Sequence, residues 1–204
     1  MKMRALIAGV SLVAPAILMG QGKAPAPGLQ IAAAVSPLPE NLRAGARVLG
    51  YDASGKLVTL RPGTNQMTCL ADDPAGKMFH VACYHNSLEA FMKRGRELHA
   101  LKKSNESVDS VRLRDIRTGR YTMPSKQAAL YQYFAPRDSV DLASGVISGA
   151  QYLYVVYVPY ATYKSTGITE APIEGGPWVM DPGKPWAHLM IQPQKPARIQ
   201  LNVK

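Results

Sequence analysis

Short apolar runs, separated by turn-forming residues, fill the chain from residue 46 to residue 85. Two pairs of runs each flank a short segment rich in Asp, Gly, Ser or Pro, which is the composition of a tight turn. This pattern predicts two β-hairpins and, because they follow each other directly, a meander of four antiparallel strands. The predicted strands are 47–51, 56–60, 66–71 and 78–85, around turns at 52–55 and 72–77.

An amphipathic helix is predicted after the second hairpin. Apolar residues within 88–98 recur at spacings that share one helix face, and Gly95 on that face indicates a close approach to the sheet. Asn86 is the expected N-cap, and Glu89 would complete a capping box. Weaker patterns predict two more helical segments, over 107–118 and 126–134.

The strongest strand pattern lies at 151–160, where both alternating faces are apolar or aromatic. Such a segment is typical of a central strand in a sheet that is covered on both sides. Two further strands are predicted over 178–180 and 186–191. We therefore predict an α+β fold, in which N-terminal hairpins and C-terminal strands form an antiparallel sheet with one or two helices packed on one face.

The first 22 residues have the order of features found in secretory signal peptides. Two basic residues precede an uncharged apolar run over 5–19, and Gly20-Gln21-Gly22 supplies small residues for a cleavage site. A buried N-terminal helix is the alternative interpretation, although Pro15 would interrupt it. We expect an exported protein, periplasmic or extracellular, whose mature form has no transmembrane segment, because the apolar run is too short to span a bilayer.

Composition divides the rest of the chain into three parts. Residues 23–45 are expected to form a leader with one short helix, which Pro37 and Pro39 would end. Residues 46–192 are expected to form one globular domain. The basic tail, residues 193–204, is expected to be mobile.

Cys69 and Cys83 are the two cysteines of the chain. The predicted hairpin places them opposite each other on neighbouring strands, and an exported protein folds where thiols are oxidised, so we predict a disulfide. A metal site of these cysteines with His85 and His188 is the alternative. His80 would point to the other face of its strand, so three ligands cannot converge from this segment, and we predict no metal.

The charge of the chain favours anionic partners. Its formal net charge is +10, from 24 Lys and Arg against 14 Asp and Glu. Much of the excess lies between residues 93 and 120, on the predicted helices. This segment is either a solvated helical face or a patch that meets an anionic ligand or the cell-envelope surface. No nucleic-acid partner is expected for an exported chain without interleaved basic and aromatic residues.

Motifs for catalysis or cofactor binding are absent from the sequence, and no cofactor is predicted. Gly145–Gly149 is one residue out of register for a nucleophile elbow, and Asp72-Asp73 is interpreted as a turn pair. His85 and His188 fall on predicted strands and suit either a core or a site. His188 would share a face with Trp186 and could line a pocket.

The preferred hypothesis is an exported, non-enzymatic protein that binds a small or anionic ligand. Tyrosine combines an apolar ring with a polar end and often lines binding surfaces. The candidate ligand-binding residues are His85, Tyr154, Trp186 and His188, with the basic helix as a second candidate surface. The alternatives are an extracytoplasmic hydrolase with His85 or His188 as general base, and a structural or envelope-associated protein.

Two segments, Arg61–Leu70 (RPGTNQMTCL) and Val81–His85 (VACYH), suggest a relationship. In these segments the chain resembles a family of exported bacterial proteins of unknown function, and the resemblance extends into Phe91–Leu98 and Trp186–His188. It implies a stand-alone domain and carries no activity or site residue.

Overall fold

The computed structural model describes residues 23–193 and 196–202, so the predicted signal peptide lies outside the described residues. Ten strands and five helices form within these ranges, and the fold is α+β as predicted. The helices are α1 (Pro27–Val35), α2 (Glu40–Arg43), α3 (Glu89–Ala100), α4 (Asn105–Arg117) and α5 (Tyr163–Thr166). The strands are β1 (Arg47–Tyr51), β2 (Leu57–Arg61), β3 (Met67–Leu70), β4 (Phe79–His85), β5 (Ala128–Ala135), β6 (Val140–Asp141), β7 (Val146–Tyr157), β8 (Pro177–Met180), β9 (His188–Ile191) and β10 (Ala197–Gln200).

The strands form one mixed sheet in the order β2-β1-β3-β4-β5-β7-β9-β8, and β6 and β10 add to β7. Both predicted hairpins are present, but the predicted meander is wrong, because β3 pairs in parallel with β1 instead of antiparallel with β2. After β2 the chain crosses back over the start of β1. Thr64 and Asn65 donate backbone hydrogen bonds to the Gly45 carbonyl, and Arg61 donates to the Ala46 carbonyl. These bonds place β3 on the side of β1 that is opposite to β2.

Helix α1 covers one face of the sheet. The short helix was predicted, but its place in the core was not: Ala33 and Ala34 are buried, and the Ser36 and Tyr133 hydroxyls are hydrogen bonded at 2.7 Å. The Gln30 side-chain oxygen also accepts a hydrogen bond from the Tyr51 N–H, and its NH2 group donates one to the Tyr51 carbonyl. These two bonds fix α1 to the end of β1. Residues 27–38 therefore belong to the globular domain.

Helices α3 and α4 cover the opposite face. Leu88, Phe91 and Leu98 are buried on the predicted apolar side of α3, where Phe91 packs with Trp186 and Tyr157. Two helices pack on one face as predicted, and α1 adds a helix on the other, so the sheet is covered on both sides, as the 151–160 pattern indicates.

The start of α3 differs from the predicted capping box. A 3-10 turn over Asn86–Leu88 precedes the helix, and the His85 side chain caps this turn by accepting from the Ser87 N–H. The Asn86 side chain instead accepts from the Thr68 hydroxyl. Gly95 approaches helix α4 and not the sheet, because a Cβ added there would collide with the guanidinium of Arg112, which packs 4.0 Å from the Phe91 ring centroid.

Two segments form strands where other structure was predicted. Residues 126–134, predicted as helical, contain most of β5, which lies between β4 and β7. The tail predicted to be mobile contains β10, whose residues pair antiparallel with the first half of β7, and Leu201 beyond it is buried. Strands β7, β8 and β9 correspond to the predicted C-terminal strands, although β7 spans Val146–Tyr157 instead of 151–160 and β9 begins only at His188.

Cys69 and Cys83 form the predicted disulfide. They are directly opposite each other on β3 and β4, their sulfurs are bonded at 2.04 Å, and both residues are fully buried. The bond fastens this hairpin beneath α1, since Ala34 and Val35 belong to the same core cluster. In the described part of the chain, none of the helices is long and apolar enough to cross a membrane.

Candidate functional site

The four candidate ligand-binding residues do not share one pocket. Tyr154 lies on the α1 face, where its ring contacts those of Tyr131 and Tyr152 at centroid distances of 6.1 and 5.7 Å. Trp186 and His188 pack on the α3 face beside Tyr157. Side chains alternate along β7, so the sheet separates Tyr154 from this pair.

Trp186 and His188 are held by packing and by hydrogen bonds. Trp186 is buried, and its indole N–H donates to Asp181 Oδ2 at 3.0 Å. The His188 ring lies 5.0 Å from the Tyr157 ring, and its Nδ1–H donates to the Trp186 carbonyl at 2.9 Å. Burial lowers the pKa of His188, which therefore favours the neutral imidazole.

His85 lies at the end of β4 and takes part in a local turn. Its Nδ1 accepts hydrogen bonds from the Ser87 N–H at 3.2 Å and from the Ser87 hydroxyl at 2.8 Å. A hydroxyl that donates to an imidazole is half of a nucleophile–base arrangement, which also needs a third group to orient the base. Here the same contact caps the turn that leads into α3.

A different cluster of polar side chains lines a groove on the α3 face. The groove, called the polar groove below, has a volume of about 320 Å³ and lies between the ends of β1 and β2, the β3–β4 turn and α3. Its polar side chains are those of Tyr51, Asp72, Asp73, His80 and Arg96, and Leu57, Leu70, Met78 and Ala82 supply apolar surface.

Asp72 and Asp73 form the acidic side of the polar groove. Asp72 receives two hydrogen bonds from the Arg137 guanidinium, at 2.7 and 3.1 Å, and one from the His80 backbone N–H at 2.9 Å. Burial raises the pKa of the Asp72 carboxyl, and the bonds from Arg137 oppose that shift. Asp73 accepts from the Ala75 N–H, as expected for a turn aspartate. No ion pair involves Asp73 within the described ranges.

Arg96 forms the basic side. It projects from α3, where its Nη1 donates to the Tyr84 hydroxyl at 2.8 Å and its Nη2 donates to Glu89 Oε1 at 2.9 Å. Tyr84 in turn donates to the other oxygen of Glu89, so the three side chains hold one another in place. A guanidinium has five N–H donors, and these bonds use two of them. Arg96 also lines the polar groove, and the other N–H groups of its guanidinium form no hydrogen bond among the described residues.

Tyr51 and His80 lie between these two sides. Burial raises the pKa of Tyr51 to about 12, with smaller contributions from Asp73 and Asp72, while Arg96 acts in the opposite sense. The Tyr51 phenol is therefore a protonated donor near both charged sides. His80 is exposed, and its Nε2–H donates to the Gln132 side-chain oxygen at 2.8 Å. The groove thus offers separate sites for a negative and a positive group.

These residues escaped prediction because they meet only in three dimensions. In the sequence, Arg96 is one cation within the basic run, Tyr51 ends a hairpin strand, and His80 lies on the strand face opposite to Cys83 and His85. A usable signal was the position of Arg96 seven residues after Glu89, which places both on one side of α3. Groups of three or more His, Cys, Asp or Glu that could hold a metal do not occur among the described residues.

Comparison of the chain with protein-family models, with curated proteins and with solved structures finds no match.

Proposed function

We propose that this is an exported binding protein whose polar groove takes a small zwitterionic ligand, such as an amino acid. The observation that carries the proposal is the fixed separation of charge in the groove, with Arg96 on one side and Asp72 and Asp73 on the other. The signal-type N-terminus and the buried disulfide support the export part of the proposal.

The side chains of the groove suit the two ends of such a ligand. A carboxylate is recognised well by guanidinium N–H groups, and Arg96 is already oriented by Tyr84 and Glu89, which lowers the entropy lost on binding. An ammonium group would meet Asp73, whose carboxylate has no cationic partner in the described structure. The volume of about 320 Å³ is at the small end of ligand pockets.

Calorimetric titration with single amino acids, their N-acetyl derivatives and their methyl esters tests the proposal. We expect the free amino acid to bind and each blocked form to bind about tenfold or more weakly, because each has lost one charge. Arg96→Gln and Asp73→Asn should weaken binding to a similar extent. Lys93→Gln, an exposed change on the same helix, should bind like the wild type.

Two results would contradict the proposal. One is the absence of binding for every amino acid at millimolar concentration. The other is unchanged affinity in both groove variants. Because Arg96→Gln leaves Glu89 without its partner, its thermal unfolding is measured beside that of Asp73→Asn, which breaks no ion pair in the described structure.

A hydrolase is the second candidate, and the contact between Ser87 and His85 favours it. If Ser87 is a nucleophile, a fluorophosphonate probe should label it, and His85→Ala should prevent the labelling. If labelling of the folded protein is no faster than that of Ser87→Ala, the contact acts only as a cap.

A further inference from the structure

A second cleft lies at the other end of the α3 face and shares no lining residue with the polar groove. Two adjoining hollows of about 480 and 280 Å³ have Ile116 and Tyr160 in common, so Tyr160 stands between them. The walls come from α4, from residues 122–127, from residues 158–160, which follow β7, and from residues 183–185. This feature is called the Tyr160 cleft.

Tyr160 has a backbone conformation that its side chain disfavours. Its φ is +63°, a left-handed value that is rare for a bulky residue and more readily adopted by glycine or asparagine. The conformation is held by the Tyr160 N–H, which donates to the Lys184 carbonyl at 3.0 Å, and by a bond from Ala161 to Val158. The ring gains little packing in return, since Tyr160 is 60% exposed. A strained residue with an exposed aromatic ring points to a contact outside the chain.

Positive charge lies on both sides of this ring. Arg117 lines the smaller hollow and Lys126 lines the larger one, and neither forms an ion pair within the described part of the chain. Lys184, also in the smaller hollow, is already engaged by Asp181 at 2.6 Å and lies 3.9 Å from Asp109. The cleft therefore presents one aromatic surface between two uncompensated cations.

We propose that the Tyr160 cleft binds an acidic polysaccharide, a chain of uronic acid units. The C–H groups on one face of a sugar ring suit the negative face of the Tyr160 ring. Carboxylates on the neighbouring sugars would pair with Arg117 and Lys126. Among the described residues that line the cleft, Tyr160 is the single aromatic one. This favours a polysaccharide over single-stranded nucleic acid, whose binding sites stack successive bases on several aromatic side chains.

The proposal is independent of ligand binding in the polar groove, and its test uses different probes. Binding of polygalacturonate oligomers is measured by calorimetry against neutral malto-oligosaccharides of equal length. Tyr160→Gly removes the ring while keeping, without strain, the left-handed backbone that the loop requires, so the variant is expected to fold. Tyr160→Phe keeps the ring. Tyr163→Ala is the matched control, because Tyr163 is a neighbouring tyrosine with 62% exposure.

We expect Tyr160→Gly to bind the polyuronate about tenfold more weakly, while Tyr160→Phe and Tyr163→Ala stay within about twofold of the wild type. The double variant Arg117→Gln/Lys126→Gln should also lose about tenfold. Its control is Lys102→Gln/Lys103→Gln, which removes the same charge from an exposed turn beside α3.

Four outcomes would overturn the proposal. They are wild-type affinity in Tyr160→Gly, an equal loss in Tyr163→Ala or in the Lys102/Lys103 control, equal binding of the neutral oligosaccharide, and tighter binding of a single-stranded oligonucleotide of the same charge. The first rejects the role of the ring, the second would show that the loss is not specific to the Tyr160 cleft, the third would show that the carboxylates of the ligand are not recognised, and the last would favour nucleic acid.

Discussion

The hydrogen bonds of individual side chains determine which charges face a ligand and which serve the fold. The guanidinium of Arg137 donates hydrogen bonds to Asp72 and to backbone carbonyls of the β3–β4 turn, so it orders that turn. Arg96 is held by two bonds and keeps donors free. The two guanidiniums thus have different roles, although both belong to ion pairs at the polar groove.

Among the histidines, His188 is expected to make stability depend on pH. Burial lowers its pKa below the usual value of 6.5, so near and below that value the unfolded chain binds more protons than the folded chain. The contribution of the neutral His188 to the free energy of unfolding is complete above the pKa that His188 has in the unfolded chain. It is lost as the pH falls towards the lower pKa that His188 has in the folded protein. The resulting slope is at most about 1.4 kcal/mol per pH unit.

His188→Asn tests this expectation, because the asparagine amide can still donate to the Trp186 carbonyl but does not titrate. Urea unfolding is measured at about pH 7.5 and about pH 5. The wild type should lose more free energy of unfolding between these values than the variant does. Parallel pH profiles for the two proteins would contradict the assignment.

For single residues, the sequence could predict which side chains face each other across a hairpin. It could not predict which side chains from distant elements the fold brings into one groove. Cys69 and Cys83 were predictable because a turn between two strands sets which residues face each other. Tyr51 and Arg96 approach the same groove from β1 and α3, and nothing local in either element indicates the other.

Secondary structure elements were predictable where one face differs clearly from the other. Helix α3 has an apolar side and a charged side, and its position was correct to within a few residues. Strand β5 has buried residues on both faces, so it lacks the polar alternation of a half-exposed strand, and Tyr131 and Phe134 also have the spacing of one helix face. Its hydrogen bonds to β4 and β7 override that preference.

The disulfide between β3 and β4 is expected to make a large contribution to stability. Cross-linking two residues 14 positions apart restricts the unfolded chain, which is worth about 3 kcal/mol. The double variant Cys69→Ala/Cys83→Ala should therefore lose about that much free energy of unfolding in urea. The wild type with its disulfide reduced serves as the control, and its free energy of unfolding should fall by a similar amount. A loss below about 1 kcal/mol in both would contradict this account.

The C-terminal strand offers a second test, because a mobile tail and a paired strand predict different results. Leu201 is 5% exposed and its N–H donates to the Gly145 carbonyl at 2.8 Å. Leu201→Ala should lower the free energy of unfolding by about 2 kcal/mol or more through the cavity it leaves. Arg198→Ala, at an exposed position of β10, should change it by less than about 0.5 kcal/mol. Equal, negligible effects would support the mobile tail.

At the scale of the whole molecule, two surfaces of different chemistry lie at opposite ends of the α3 face of the sheet. The polar groove combines both signs of charge, whereas the Tyr160 cleft presents cations around an exposed ring. The fold class was predictable from the order of strands and helices, but the β1–β3 parallel pair was not, because it depends on where a loop crosses.

Export predicts a specific mass for the protein isolated from the cells that make it. The small residues Gly20 and Gly22 predict cleavage before Lys23, and an oxidised Cys69–Cys83 pair makes the chain two hydrogens lighter. Intact mass spectrometry with and without reductant measures both. A chain that retains residues 1–22 with both thiols free would contradict export.

The sheet order has a consequence for the nascent chain. Strand β4 contacts β3 on one side, and its other neighbour, β5, is synthesised only after both long helices. Until then β4 presents an open, largely apolar edge to any other extended polypeptide nearby. Early formation of the disulfide would fix the register of β3 and β4 and so keep the free edge of β4 extended. That edge would then assist the later docking of β5, but it could equally pair with a strand of a second unfinished chain. The yield of refolded protein should therefore fall as protein concentration rises, although the stability of the folded protein does not depend on concentration.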